Sequence, residues 1–486
     1  MSQSTPSAKK HDLSTGTLVR YAVGSIGTGG FATLPGLVLV YFLTDTLGVA
    51  AIVAGLLVTV AKVWDVIIDP VIGARSDRSL ARTGSRRRFM LLGAILLPVF
   101  FIITFAVPPG LGTVGSGIWV FLAFVLAATA FSLFQVPYIA LPAELVAGYD
   151  ARTRLLSARV VVLTFAILLF GAGGPALRSL GGKDLHLGYL VMAIVAAVVL
   201  GAGMVVASFS ARTGSQLVEH AHASILQTYR IGVSALSRSQ PFRSLLGTFV
   251  LQALATGMML AGAQYVATWV LHDQAAVTYL FIALIAPALL CAPLWGLFAR
   301  RSGKERAFGF ASVLYGLAAL SLILLEWVPG PWVYVSVGLA GAAYAGMQTL
   351  PLAMLPDVIS HDARTSGPGA AGTFGGVWTA GETAGIALGT TVLTIVLAIT
   401  GYHASIAGET VTQTGTAVTG IVLSFSIAPA VIIALSLLVL ARYPLRRSDI
   451  ETAAVSDAVE FGATFPDSSV PDSTASDIDN AGEPVA

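Results

Sequence analysis

Long apolar runs alternate with short polar connections from one end of the chain to the other. Twelve such runs stand near residues 18–43, 48–72, 89–107, 116–142, 155–180, 185–208, 243–271, 275–299, 307–327, 331–355, 369–400 and 413–441. Each reaches about 20 residues or more, the length a helix needs to cross a hydrocarbon core roughly 30 Å thick. Several hold Gly or Pro, which membrane helices tolerate because neighbouring helices satisfy the freed backbone groups. The pattern predicts an all-α integral membrane protein of twelve transmembrane helices.

Composition agrees. Of 486 residues 56% are hydrophobic and 11% charged, against about 25% charged in soluble domains. Basic residues concentrate on cytoplasmic connections, and all 27 Lys and Arg except Lys62, Arg178 and Lys183 fall in or beside the N-terminal leader, the even-numbered connections or the C-terminal tail. Both termini are therefore expected on the cytoplasmic side of the cell (inner) membrane. The net charge of +2 follows from that topology and points to no nucleic acid. The polar leader 1–17 has no small-residue cleavage site after a short apolar core and is expected to be retained. Residues 442–486 form an expected cytoplasmic tail, acidic and without a basic residue beyond 447, with the composition of disorder. The lone Cys291 lies in the eighth run, which leaves no disulfide framework and no cysteine metal site.

The connection after span 4, ALPAELVAGYDARTR (140–154), matches the one after span 10, AMLPDVISHDARTS (353–366), with one gap. After span 2, GARSDRSLARTGSRRR (73–88) has a reduced counterpart after span 8 in GLFARRSGKER (296–306). Members of each pair lie half a chain apart on the same expected side, which makes a parallel repeat: a six-helix bundle over 18–208, a cytoplasmic linker over 209–242 and a second bundle over 243–441. Two pseudo-symmetric six-helix bundles mark the major facilitator fold, whose solute site lies near the midplane between them. In the first loop Gly73 allows close helix approach, while Asp77 and Arg78 can pair with helix ends. Glu144 and Arg152 after span 4, with Asp357 and Arg364 after span 10, form a symmetric charge set suited to closing a cytoplasmic gate. The alternative is that the loop arginines only enforce topology.

Within span 2 the stretch KVWDVIIDPVIG (62–73) carries Lys62, Asp65 and Asp69. The two acids are four residues apart and share a helix face with Lys62. Each charge near the bilayer centre costs about 2.5–3.5 kcal/mol on insertion scales. Two adjacent carboxylates repel, which raises one pKa or invites a cation between them. Two acids against one Lys62 leave room for one monovalent cation, with Na+ the first choice and H+ the second. The competing reading is a Lys62–Asp ion pair, with the other Asp bonded to a neighbouring hydroxyl. Pro70 removes a backbone donor and can kink the helix.

Together with YFLTDTLG (41–48), VPYIALPAELVAGYDARTRLLSAR (136–159) and GVWTAGETAGIALG (376–389), this stretch resembles the glycoside-pentoside-hexuronide:cation symporters, the melibiose permease-like family of the major facilitator superfamily. The resemblance implies that Asp65 and Asp69 bind the coupling cation, with Ser132 of span 4 completing the site and Arg159 standing as the arginine that ends the span 4 to 5 motif. It also implies departures at the solute site. The two sugar-gripping acids of melibiose permease are replaced by Gly29 and Gln135, and Glu382 and Thr383 stand where many relatives carry a lysine. A sugar or glycoside-like solute is the first expectation, a lysolipid or other amphipathic molecule the alternative.

Further solute contacts are expected from Lys62, Gln135, Tyr138, Arg159, Trp378, Glu382 and Thr383. Glu382 has three open readings: protonated, paired with Lys62 or Arg159, or a proton carrier. No metal-ligand cluster, nucleophile motif or nucleotide loop stands out, so an enzyme is not expected, and neither is a cofactor beyond the coupling ion. The expected partners are a small solute, a monovalent cation and the lipid bilayer, and the expected assembly is a monomer.

Overall fold

The computed structural model describes residues 14–145, 149–182, 184–211, 236, 238–366, 371–409 and 411–446. Most of the leader, the linker and the tail lie outside the described residues, as does the side chain of Arg152. The described residues up to Pro444 form one compact unit.

Every named element among the described residues is helical. The first half comprises α1 (Thr15–Asp45), α2 (Ala51–Thr83), α3 (Arg87–Phe105), α4 (Gly112–Leu145), α5 (Tyr149–Arg178) and α6 (Leu185–Ser208). The second comprises α7 (Gln240–Tyr265), α8 (Ala276–Ser302), α9 (Lys304–Ser321), α10 (Val333–Ser366), α11 (Ala371–Ile399), and α12 (Gly415–Phe425) with α13 (Ile427–Leu440). Among the described residues eleven spans are long and apolar enough to cross a membrane, counting α12 with α13 as one. The twelfth is α10, whose apolar character is diluted by Gly338, Gly341, Tyr344, Gly346, Gln348 and Thr349.

The run 413–441 stands as one span, Gly415–Leu440, whose helix is interrupted at Ser426. Pro429 has no N–H for the carbonyl of Phe425, so the ladder is interrupted there.

Sequence signals explain the helix ends. Ser14, Asp184, Ser239 and Thr414 cap α1, α6, α7 and α12 by accepting from backbone N–H groups of the first turn. α2 and α8 end on Gly84 (φ 66°) and Gly303 (φ 91°), left-handed positions that glycine adopts without strain. These are equivalent points in the repeat. Each turn sets a basic residue, Arg86 or Lys304, at the foot of the next helix.

The packing repeats as well. α1 packs on α5 and α6, α2 on α4, and α3 on α4 and α6; in the second half α7 packs on α11 and α13, α8 on α10, and α9 on α10 and α13. The halves meet through α2 with α11, α5 with α8 and α1 with α7, a set that maps onto itself when the halves exchange. That is the pseudo-twofold relation of the major facilitator fold. Lipid offers no hydrophobic drive for association, so small residues at the crossings set how closely backbones approach. A Cβ at Gly341 would run into the Leu284 backbone of α8, and one at Gly389 into the Leu254 backbone of α7.

Candidate cation and solute site

Leu56, Val60, Val63 and Ile67 of α2 are exposed, the stripe a lipid-facing helix shows. At 100° per residue, Lys62, Asp65 and Asp69 fall on the opposite side, toward the interior. Trp64 Nε1 donates to Thr129 Oγ1 at 2.9 Å and ties α2 to α4. One turn along α4, buried Ser132 places its hydroxyl beside the Asp69 carboxylate as a hydrogen-bonding partner. Lys62 Nζ donates to Asp65 Oδ2 at 3.2 Å. Two oxygens remain: Asp65 Oδ1 and Asp69 Oδ1 are buried without a hydrogen-bond partner. Burying an unpaired anionic oxygen is costly, and here two stand one helical turn apart beside a hydroxyl. Such a donor set, all hard oxygen, suits an alkali cation.

The expected solute residues divide. Gln135 Oε1 and Arg159 Nε are buried and unpartnered. Two others are packed between helices. Tyr138 is fully buried, its ring stacked between Tyr21 (4.7 Å) and Phe134 (5.1 Å) with its hydroxyl donating to the Tyr21 carbonyl at 2.7 Å. It fastens α4 to α1, and the Arg159 guanidinium lies 5.3 Å from its ring centroid. Trp378 is 3% exposed and stacks on Phe249 of α7 at 4.3 Å, so it belongs to the α7–α11 contact. Both aromatics pack on a neighbouring helix in this structure, and Trp378 Nε1 is buried without a hydrogen-bond partner.

Glu382 and Thr383 occupy the interior side of α11. Gly381, Gly385 and Gly389 turn toward α7, while Leu388 and Ile395 are exposed on the lipid side. Glu382 makes no ion pair among the described residues, either with Lys62 or with Arg159, and it lies near Tyr344 of α10. Gly29 does not stand at a solute site: a Cβ there would lie 2.9 Å from the Leu163 carbonyl, because α1 and α5 pack closely at that point.

The gating set is also rearranged. Arg86, 9% exposed, bonds Asp77 and Glu144 at 2.5 Å each and Ser76 Oγ at 2.8 Å, joining α2, α3 and α4. In the other half Lys304 bonds Asp357 at 2.6 Å, and Arg238 bonds Asp362 at 2.7 Å. The Arg86 and Lys304 pairs each stay within one half, and Arg238, just ahead of α7, pairs with α10. Arg78 donates to the Ala74 carbonyl of its own helix, at 3.3 Å. The side chain of Arg364 is exposed. The side chain of Arg152 lies outside the described residues, and the pairs formed by Asp77, Glu144 and Asp357 stay within their own halves.

At the opposite end the halves are joined. Tyr402 Oη and Trp269 Nε1 donate to Asp45 Oδ1 at 2.5 and 3.3 Å, Thr44 Oγ1 meets Tyr265 Oη at 2.7 Å, and the Ser405 and Ala407 amides donate to the Thr44 and Thr46 carbonyls. Farther in, Thr59 bonds Thr391 and the Ala387 carbonyl, and Thr278 bonds the Ala172 carbonyl. Sequence reasoning missed this closure. Its one signal was an acid, Asp45, at the end of an apolar run.

A family model described as MFS/sugar transport protein matches residues 20–447. The chain is 24% identical over 439 residues to "Glucuronide carrier protein homolog" of Escherichia coli, covering 89% of this chain and 93% of that one. It is 24% identical over 383 residues to "Sodium-dependent lysophosphatidylcholine symporter 1" of Mus musculus, covering 72% and 71%. Among solved structures, a bacterial homologue of the human lysosomal transporter Spinster superposes with a TM-score of 0.64 at 14% identity, covering 88% and 96%.

Proposed function

Because the chain belongs to the MFS/sugar transport protein family, we propose that it is a cation-coupled symporter working by alternating access, with Asp65, Asp69 and Ser132 as the cation ligands. The observation that carries this reading is the pair of unpartnered carboxylate oxygens on α2. The competing arrangement, Lys62 on Asp65 and a hydroxyl on Asp69, is present too, and it leaves those same two oxygens unsatisfied. Sodium is the first choice, as the mouse relative's name suggests, and a proton the second.

The basic loops Gly84–Arg88 and Ser302–Arg306 mark the proposed cytoplasmic end, which makes this an inward-open state. Val160, Val161 and Phe165 support the opening. They are well over half exposed on the α5 face that farther out meets Phe281 and Thr278 of α8. The solute is a sugar or glycoside, in line with the relatives' names, held by Gln135, Arg159 and the Glu382–Thr383 face. The apolar character of the α5–α8 opening favours a second reading, an amphipathic solute such as a lysolipid.

Binding of radiolabelled sodium to purified protein tests the ion site. The expected result is one saturable site, lost in Asp65→Asn and in Asp69→Asn. Undiminished binding in both variants would return the pair to a structural role.

A further inference from the structure

We infer that Lys62 selects the valence of the coupling ion: its ammonium, held on Asp65, cancels one of the two carboxylate charges, so the site takes one monovalent cation and turns divalent cations away. This rests on the cation site proposed above and adds the residue that discriminates among ions there.

Geometry supplies the first argument. Thr59 bonds the Ala387 carbonyl of α11 at 3.3 Å, and beyond that contact Lys62, Asp65 and Asp69 follow along one face of α2. Lys62 and Asp69 are seven residues apart, about 10.5 Å at 1.5 Å per residue, with Asp65 between them. The ammonium donates to Asp65 Oδ2 at 3.2 Å, while Asp65 Oδ1 and Asp69 Oδ1 stay buried and unpartnered. One carboxylate is thus divided between a fixed cation on one oxygen and a free position on the other. The Lys62 side chain is 27% exposed and that of Asp65 12%, and the ammonium lies 6.0 Å from the Phe124 ring centroid of α4. Tethered to the helix that carries both acids, this positive charge cannot diffuse away as a dissolved counter-ion would.

Charge supplies the second. Two ionised acids and one ammonium leave the pocket with a single negative charge. One sodium ion neutralises it, whereas a calcium ion would leave a positive excess beside an ammonium that repels it. A medium that penalises uncompensated charge then favours the monovalent ion. Size and donor chemistry do not make that choice. Calcium accepts hard oxygen ligands in flexible geometry at about 2.3–2.6 Å, and the same oxygens suit an alkali ion. Among the described residues Lys62 is the basic group that pairs with either acid. Arg159 lies over Tyr138 instead.

The test titrates radiolabelled sodium and radiolabelled calcium onto purified protein in detergent. The parent is expected to show one saturable sodium site that calcium does not displace. Lys62→Gln leaves two uncompensated carboxylates and is expected to bind calcium about tenfold or more tightly than the parent does, with calcium displacing sodium and raising the melting temperature. Lys62→Met, a second neutral replacement, should do the same, and Lys62→Arg, which keeps the charge, should keep the parent's preference. The double variant Lys62→Gln with Asp65→Asn removes the pair together and returns the pocket to a single negative charge. It is expected to reject calcium, which separates the effect of charge from that of removed bulk. Calcium binding by the parent, no gain of calcium affinity in either neutral variant, or equal calcium affinity in the single and double variants would each overturn this role of Lys62 and leave the sodium site standing. Failure of sodium to bind the parent at all would overturn both readings together.

Discussion

Asp65, Asp69 and Ser132 illustrate how much a single residue can disclose when its surroundings penalise it. The two acids were legible in the sequence because a charge in an apolar run needs compensation, and Ser132 became legible through the family resemblance. Tyr138 and Trp378 carry no such signal: an aromatic in a membrane helix incurs no such cost, so nothing in the sequence separates a packing role from a ligand contact. If the ion site is as proposed, sodium raises the detergent melting temperature of the wild type and has no effect on Asp69→Asn. Ser132→Ala should weaken sodium affinity about tenfold, the equivalent of about 1.4 kcal/mol for one lost ligand. Arg86 carries a separate prediction. Its removal leaves Glu144 without its cation in a largely buried setting, a loss of about 3 kcal/mol for a broken buried pair. Arg86→Gln should therefore lower the melting temperature with or without sodium, while leaving the sodium-induced increment in place.

Among the helices, the spans and the repeat were legible because hydrophobic run length and loop charge suffice for both. What escaped was local. The Ser426 break had its signal in Pro429, yet the apolar character of both flanks masked it. Gly29 was assigned to the solute site by resemblance, whereas its lack of a side chain serves the close contact of α1 with α5. The difference is testable by placing an acid at each of the two sites where melibiose permease has one. Gly29→Asp should lower expression and thermal stability, since even its Cβ would lie 2.9 Å from the Leu163 carbonyl. Gln135→Asp, at a side chain whose oxygen has no partner, should fold normally and act only on solute affinity.

For the whole molecule, the closed end and the open end require different explanations. The closure around Asp45 was not legible, because Trp269 and Tyr402 come from the other half and no local pattern pairs them with it. Asp45→Asn weakens the accepting group and Tyr402→Phe removes a donor, so either should loosen this end. A Thr391→Cys reporter in a Cys291→Ser background should then react faster with an impermeant thiol reagent applied from that side. An unchanged rate would mean that the backbone bonds of Ser405 and Ala407 hold the closure alone. In the proposed inward-open state the carboxylate oxygens of α2, the Arg159 guanidinium and the Glu382 face are the parts offered to cation and solute. Coupling of solute to cation is read from solute uptake into proteoliposomes under an imposed inward sodium gradient, with labelled glycosides and lysolipids offered in turn. The expected result is accumulation above equilibrium that collapses when the sodium gradient is dissipated and is absent in Asp65→Asn. Accumulation that ignores sodium and proton gradients alike, or that persists in Asp65→Asn, would contradict it.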